Sequence, residues 1–166
     1  MYKLISLLAF LISLNIFAQD GITVIDEHTG EPMLLGRHDR EAFSDSSFSW
    51  WFNEEYEYYS VDDSALVSVK DRLEDINVTV VMGTWCSDSQ REVPRFYKIL
   101  DYLEFNESNI DLICVDRAKA GVADEVDGLN IKLVPTFIFY KDGKELGRIV
   151  ETPEATLEKD LANILK

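Results

Sequence analysis

The stretch VVMGTWCSDSQREVP, Val80 to Pro94, decides how the rest of the chain is read. Its start is a strand-like apolar run that continues the preceding Asn77-Val78-Thr79, so Asn77 to Gly83 is expected as a strand buried on both faces. Gly83-Thr84-Trp85-Cys86 then ends the apolar run, and Ser87 onward reads as the start of a helix. A cysteine at that junction faces the unpaired N–H groups and the positive end of the helix dipole, which favours its thiolate and makes it a nucleophile. The position three residues further on is Ser89, so the thiol has no dithiol partner in its own turn.

Outward from this segment the pattern is alternating α/β. The helix after Cys86 carries Val93, Phe96, Tyr97, Leu100 and Leu103 on one face, with Pro94 inside it and expected to kink it. IDLICVD from Ile110 is a second buried strand, residues 116–128 are a polar crossover, and TFIFY from Thr136 is a third strand. Lys141-Asp142-Gly143-Lys144 reads as a hairpin turn into ELGRIVE. A last helix is expected from Thr152-Pro153-Glu154, with Leu157, Leu161, Ile164 and Leu165 inward. Before the Cys86 segment, Asp62, Asp63 and Ser64 offer N-caps for a helix over residues 65–74. Parallel βα units followed by an antiparallel pair predict an α/β fold: a mixed central sheet with helices on both faces.

The N-terminal part divides in two. Residues 1–18, MYKLISLLAFLISLNIFA, place one cation at Lys3 before an apolar run that ends in a small residue, the pattern of a secretory signal peptide. The apolar run from Leu4 is shorter than the ~20 residues of a spanning helix and is interrupted by Ser6, Ser13 and Asn15. The expectation is an exported, periplasmic or extracellular protein with no membrane association after cleavage. Residues 19–61 form an extension, polar and irregular over residues 20–42 with turn chemistry at His28-Thr29-Gly30. It continues into an N-terminal helix from near Ser44 whose stripe of Phe48, Trp51, Phe52, Tyr56 and Tyr59 reads first as core packing and second as a ligand or peptide groove.

Three motifs together resemble the thioredoxin superfamily, and in particular its exported bacterial thioredoxin-like members. Thr84-Trp85-Cys86-Ser87-Asp88-Ser89 resembles that family's Trp-Cys-x-x-Cys turn. Pro94 stands where the family has its helix-kinking proline, and LVPTFIFYKDGKELGR resembles its cis-proline strand and hairpin. The resemblance covers residues 62–166 and implies a thioredoxin-like domain there, with Cys86 as nucleophile and a cis bond at Val134-Pro135. Trp85, Val134 and Pro135 would then bind substrate, Trp85 shielding one side of the thiol and Val134 offering backbone groups to an extended peptide.

The departures are as informative. Ser89 replaces the resolving cysteine that would release a mixed disulfide; a hydroxyl cannot do this, although it can donate a hydrogen bond to the Cys86 sulfur. Val80 stands where thioredoxins place a buried carboxylate that serves the resolving cysteine, and the two changes agree with monothiol chemistry. Asp88 opposes the thiolate while suiting the helix dipole. Cys114 lies in a buried strand and reads as core, with a resolving role requiring a Cα separation within ~7 Å.

With 166 residues and a hydrophobic fraction of 46%, the chain has ample material for a folded core. Its net charge of −15 repels nucleic acid and anionic membranes. The acids are scattered, as on a solubilising surface. His28 and His38 with two scattered cysteines show no metal-ligand spacing, so neither metal nor other cofactor is expected. The partners expected are protein or small-molecule thiols and disulfides, with oligomeric state open. Two functions stand: a thiol–disulfide oxidoreductase acting through Cys86, assisted by Ser89, by mixed-disulfide exchange or isomerisation; or a non-catalytic thioredoxin-fold peptide-binding module.

Overall fold

A computed structural model describes residues 21–166. The signal-peptide reading of residues 1–18 lies outside the described residues. In chain order the elements are β1 (Ile22–Ile25), β2 (Pro32–His38), α1 (Ser46–Tyr58), α2 (Asp63–Leu66), β3 (Ile76–Met82), α3 (Ser87–Tyr102), β4 (Ile110–Cys114), β5 (Thr136–Lys141), β6 (Lys144–Val150) and α4 (Leu157–Ile164). The strands form one six-stranded sheet in the order β1-β2-β4-β3-β5-β6. β3 and β4 are parallel, and the other neighbours are antiparallel.

The expected mixed α/β sheet with helices is present, and its two faces are covered differently. Val78, Val80, Met82, Leu112, Phe137 and Phe139 meet side chains of α1, α3 and α4 in one large core. Phe96 of α3 sits 4.5 Å from Phe137, ring centre to ring centre. The aromatic stripe of α1 joins this core through Phe48, Trp51 and Phe52, all buried. On the opposite face Val81, Ile113 and Val115 are covered by Val134, Trp85 and the Val126, Leu129 and Ile131 side chains of the crossover. No helix lies in that crossover; its apolar residues are too sparse and its Asp and Gly residues too frequent for one.

Three segments differ from expectation. Residues 20–42 are not irregular throughout: β1 and β2 form a hairpin, and β2 adds antiparallel to β4 with Gly36 opposite Cys114. Each apolar run is short, and β4, the strand that ties the hairpin into the sheet through β2, is about seventy-five residues away in sequence, so local periodicity carried little signal. The helix expected over 65–74 is only the short α2 and a 3-10 turn at Lys70–Arg72. Val67, Ser68 and Val69 are poor helix formers, and burial of Leu66 and Val69 is satisfied by the tighter turn. The last helix starts later than Thr152-Pro153-Glu154. Asp160 accepts from the Glu154 and Ala155 N–H groups at 2.6 and 3.3 Å, holding them as a loop, and Thr156 caps α4 by accepting from Lys159 N–H.

The β5–β6 hairpin forms as expected, with Asp142 and Gly143 both at positive φ, 51° and 74°, as a two-residue turn of this hand requires. α3 runs as one helix through Pro94.

Candidate active site around Cys86

β3 delivers the chain to the site and α3 takes it away. Between them the Cys86 N–H donates to Gly83 O at 2.9 Å, a turn that makes Cys86 the N-cap residue of α3. Its side chain forms no capping bond, so the sulfur is left to the site. Cys86 is half-buried, and its thiol donates to Val134 O at 3.3 Å. Only the protonated sulfur makes that bond. The Val134–Pro135 peptide is cis. Cys86, Trp85, Val134 and Pro135 are thus brought together, as the motifs implied.

Ser89 is brought near but faces elsewhere. It is 0% exposed, and its hydroxyl accepts from the Gly83 N–H at 3.3 Å. Among the described residues no hydrogen bond joins it to the Cys86 sulfur, because the β3–α3 turn presents an otherwise unpaired N–H that the hydroxyl satisfies. Its place in the site is therefore beneath the turn. Val80 is also 0% exposed and packs in the large core, so an apolar side chain fills the position below.

Asp88 is paired: Arg91 Nη2 lies 2.8 Å from its Oδ1, and Arg91 Nε lies 2.7 Å from the buried Glu92. The pairing offsets much of the repulsion a bare Asp88 would exert on a thiolate. Cys114 is 0% exposed and belongs to the core on the α3 side of the sheet, whereas Cys86 packs with the cluster on the crossover side. Burial pushes its thiol well above the ordinary range. The two cysteines are both free. The His38 ring pairs with Leu35 O at 3.1 Å, and among the described residues no group of histidines, cysteines and carboxylates could hold a metal ion.

The Trp85 side of the site contains groups the sequence did not reveal. Trp85 Nε1 donates to Val115 O at 2.9 Å, and the Arg117 guanidinium lies over its ring at 4.7 Å. Arg117 in turn grips Asp26, with Nη2 2.7 Å and Nε 3.1 Å from Oδ2. Asp26 lies at the turn of the β1–β2 hairpin, where it also accepts from His28 N–H at 3.0 Å and from the Thr29 hydroxyl at 3.1 Å. The bonds from Arg117, then that from His28, hold the Asp26 carboxyl at about 2, below its ordinary 3.8. The hydrogen bonds to Asp26 in turn raise the Arg117 guanidinium above its ordinary range. The hairpin is therefore tied to the site by a charge pair 91 residues apart in sequence. No local pattern marks such a pair; the one available signal was an aspartate at a turn and an arginine just past a strand.

Gly83 is fixed by the same geometry. A Cβ there would sit 2.5 Å from the Trp85 ring, so only glycine lets the indole lie against the turn.

No protein-family profile matches this chain. It is 30% identical over 101 residues to thioredoxin-2 of Saccharomyces cerevisiae, covering 61% of this chain and 88% of the yeast protein. It is 32% identical over 80 residues to a TPR repeat-containing thioredoxin of Arabidopsis thaliana, covering 48% of this chain and 20% of the plant protein. Three further thioredoxin or thioredoxin-like relatives are spanned over 54% to 66% of their lengths. Among solved structures, an HIV epitope-scaffold protein superposes with a TM-score of 0.53 at 20% identity, over 78% of this chain and 90% of that one, a likeness of fold.

Proposed function

Because the chain belongs to the thioredoxin family, we propose that it is an exported thiol–disulfide oxidoreductase that works through the single sulfur of Cys86. The observation that carries this reading is the half-buried Cys86 at the N-cap of α3, beside the Val134 carbonyl, with the buried Ser89 hydroxyl in place of a second thiol. Export rests on the residue pattern of 1–18.

In the first step the Cys86 thiolate attacks one sulfur of a substrate disulfide; a Cys86–substrate disulfide forms and the other substrate sulfur leaves as a thiolate. In the second step an outside thiolate, from a second substrate cysteine or a small-molecule thiol, displaces Cys86 and becomes disulfide-linked to the substrate. No net electrons are transferred, so the outcome is exchange or isomerisation. Deprotonating Cys86 removes its bond to Val134 O, which frees that carbonyl to accept from an extended substrate chain. The N–H groups of the first turn of α3 face the resulting thiolate.

The test is adduct capture. Non-reducing gels of the protein recovered from its own compartment show reducible species of higher mass in the parent and in Cys114→Ala, and none in Cys86→Ala. Adducts absent from the parent, or surviving loss of Cys86, refute the monothiol mechanism and leave the peptide-binding module as the better account.

A further inference from the structure

Next to Trp85 lies a cleft of about 480 Å³ whose walls come from three separate parts of the chain. The β1–β2 hairpin supplies Asp26 and Glu31, the first turns of α1 supply Trp50 and Trp51, and the active-site segment supplies Trp85 and Gln90. Two of those walls belong to the N-terminal extension, and the third comes from Thr84, Trp85 and Gln90, which flank Cys86 in the chain.

The lining has a distinct chemistry. Trp50 is 63% exposed, although tryptophan is seldom left in water without a partner. Its Nε1 donates to Ser47 O at 3.2 Å, which fixes the direction of the ring. Both titratable groups on the wall are carboxylates, and no lysine, arginine or histidine lines the cleft. Asp26 is matched by Arg117, whereas Glu31 is exposed and has no ion pair among the described residues. Gln90 spends its amide N–H on Thr84 O at 2.7 Å, which leaves its amide oxygen as an acceptor.

We infer that this cleft seats a cationic side chain, arginine above lysine, that flanks the reacting sulfur of a protein substrate; the inference rests on the oxidoreductase reading of Cys86. The guanidinium face stacks on Trp50, its N–H groups meet the Gln90 amide oxygen, and Glu31 supplies the countercharge. An arginine suits this wall because its plane both stacks and donates in a fixed fork. The molecule already uses that arrangement internally, with Arg117 on Trp85 and Arg40 on Tyr56 at 5.0 Å. A neutral aromatic side chain would leave Glu31 without a partner, and an acidic one would be repelled by it.

The test compares two peptides, each carrying a single cysteine as its pyridyl disulfide and differing only in arginine or citrulline at the neighbouring position. Release of thiopyridone reports attack by Cys86. The parent reacts about tenfold faster with the arginine peptide at low salt, the combined effect of an exposed cation–π contact and an exposed ion pair, and the preference falls as salt is added. Glu31→Gln and Trp50→Ala each bring the ratio toward one. A ratio near one in the parent, or a preference that persists in both variants, overturns the inference. If neither peptide reacts, the oxidoreductase reading is what fails. The cleft is then judged by a thiol-free arginine peptide: saturable quenching of tryptophan fluorescence that Trp50→Ala abolishes supports it, and no quenching overturns it.

Discussion

Alkylation should separate the two thiols by at least about a thousandfold. Cys114 is 0% exposed in β4, with Gly36 of β2 opposite it on one side and Met82 of β3 on the other. A reagent reaches its sulfur only after one of those ladders opens and the core on the α3 side parts. Whole-domain stabilities run from ~5 to ~15 kcal/mol, so an opening that costs only ~4 kcal/mol already slows labelling about a thousandfold. Burial adds to this by pushing the Cys114 thiol upward, which leaves little thiolate at neutral pH. Cys86 needs no opening, since it is half-buried with its sulfur held only by the bond to Val134 O. The assay is timed iodoacetamide labelling at neutral pH followed by intact mass. Parent and Cys114→Ala should take up one label at the same rate. Cys86→Ala should stay unlabelled until guanidinium passes the unfolding midpoint. Equal rates for the two cysteines, or rapid native labelling of Cys86→Ala, would refute the placement of Cys114 in the core and of Cys86 as the single reactive thiol.

Ser89→Cys places a thiol one helical turn from Cys86 and should raise insulin-type disulfide reduction above the parent, weakly, because Val80 offers the new thiol no proton acceptor; no rise in a folded protein that forms the 86–89 disulfide would show that substrate access sets the rate. Asp26→Asn tests the clamp on Trp85 through pH. Since the folded Asp26 carboxyl is held at about 2 against an ordinary 3.8, its stabilisation is complete above about pH 4 and is lost as pH falls toward 2. The Tm gap between parent and Asp26→Asn should be constant above pH 4 and close below it, and a gap independent of pH would rule the clamp out. Gly83→Ala should cost about 1–3 kcal/mol in urea unfolding, because the new Cβ lies 2.5 Å from the Trp85 ring and forces the indole off Val115 O. Its tryptophan emission should shift to the red, and an unchanged spectrum would count against that account.

The elements legible in the sequence are those whose signal is local. The strand ending at Met82, the helix opening after Cys86 and the Asp142-Gly143 turn each carry their periodicity or turn chemistry within a few residues. The packing of Phe48, Trp51 and Phe52 was legible for the same reason, as a helical stripe. What the sequence hid depends on distant partners. β2 is a strand because β4 is beside it, and Arg117 matters because Asp26 is 91 residues away. Ser89 shows the limit at short range. Its position by Cys86 suggested a bond to sulfur, but the Gly83 N–H, a backbone donor invisible in a residue pattern, takes the hydroxyl.

The same facts bear on how the sulfur at Cys86 is controlled. Below the turn stand the Ser89 hydroxyl, which is not a second thiol, and the apolar Val80 side chain, both fully buried. Around the turn, the charges are held in contact with opposite ones: Arg91 bridges Asp88 at 2.8 Å and Glu92 at 2.7 Å on the α3 side, and Asp26 is matched with Arg117 at 2.7 Å on the Trp85 side. A matched pair contributes far less field at a third point than either charge alone, because the two Coulomb terms nearly cancel beyond the pair's own separation. What acts on the thiolate with least cancellation is the set of unpaired N–H groups at the start of α3. On the proposed reading, activation falls to the backbone and release to a thiol from outside. Perturbing the α3-side group should change reactivity in a predictable direction: Arg91→Ala exposes the Asp88 and Glu92 charges and should slow alkylation of Cys86, whereas Asp88→Asn removes one carboxylate, leaves Arg91 on Glu92 and should speed it. If both substitutions slow alkylation alike, the pairing acts only through the stability of the first helical turn, and the cancellation argument fails.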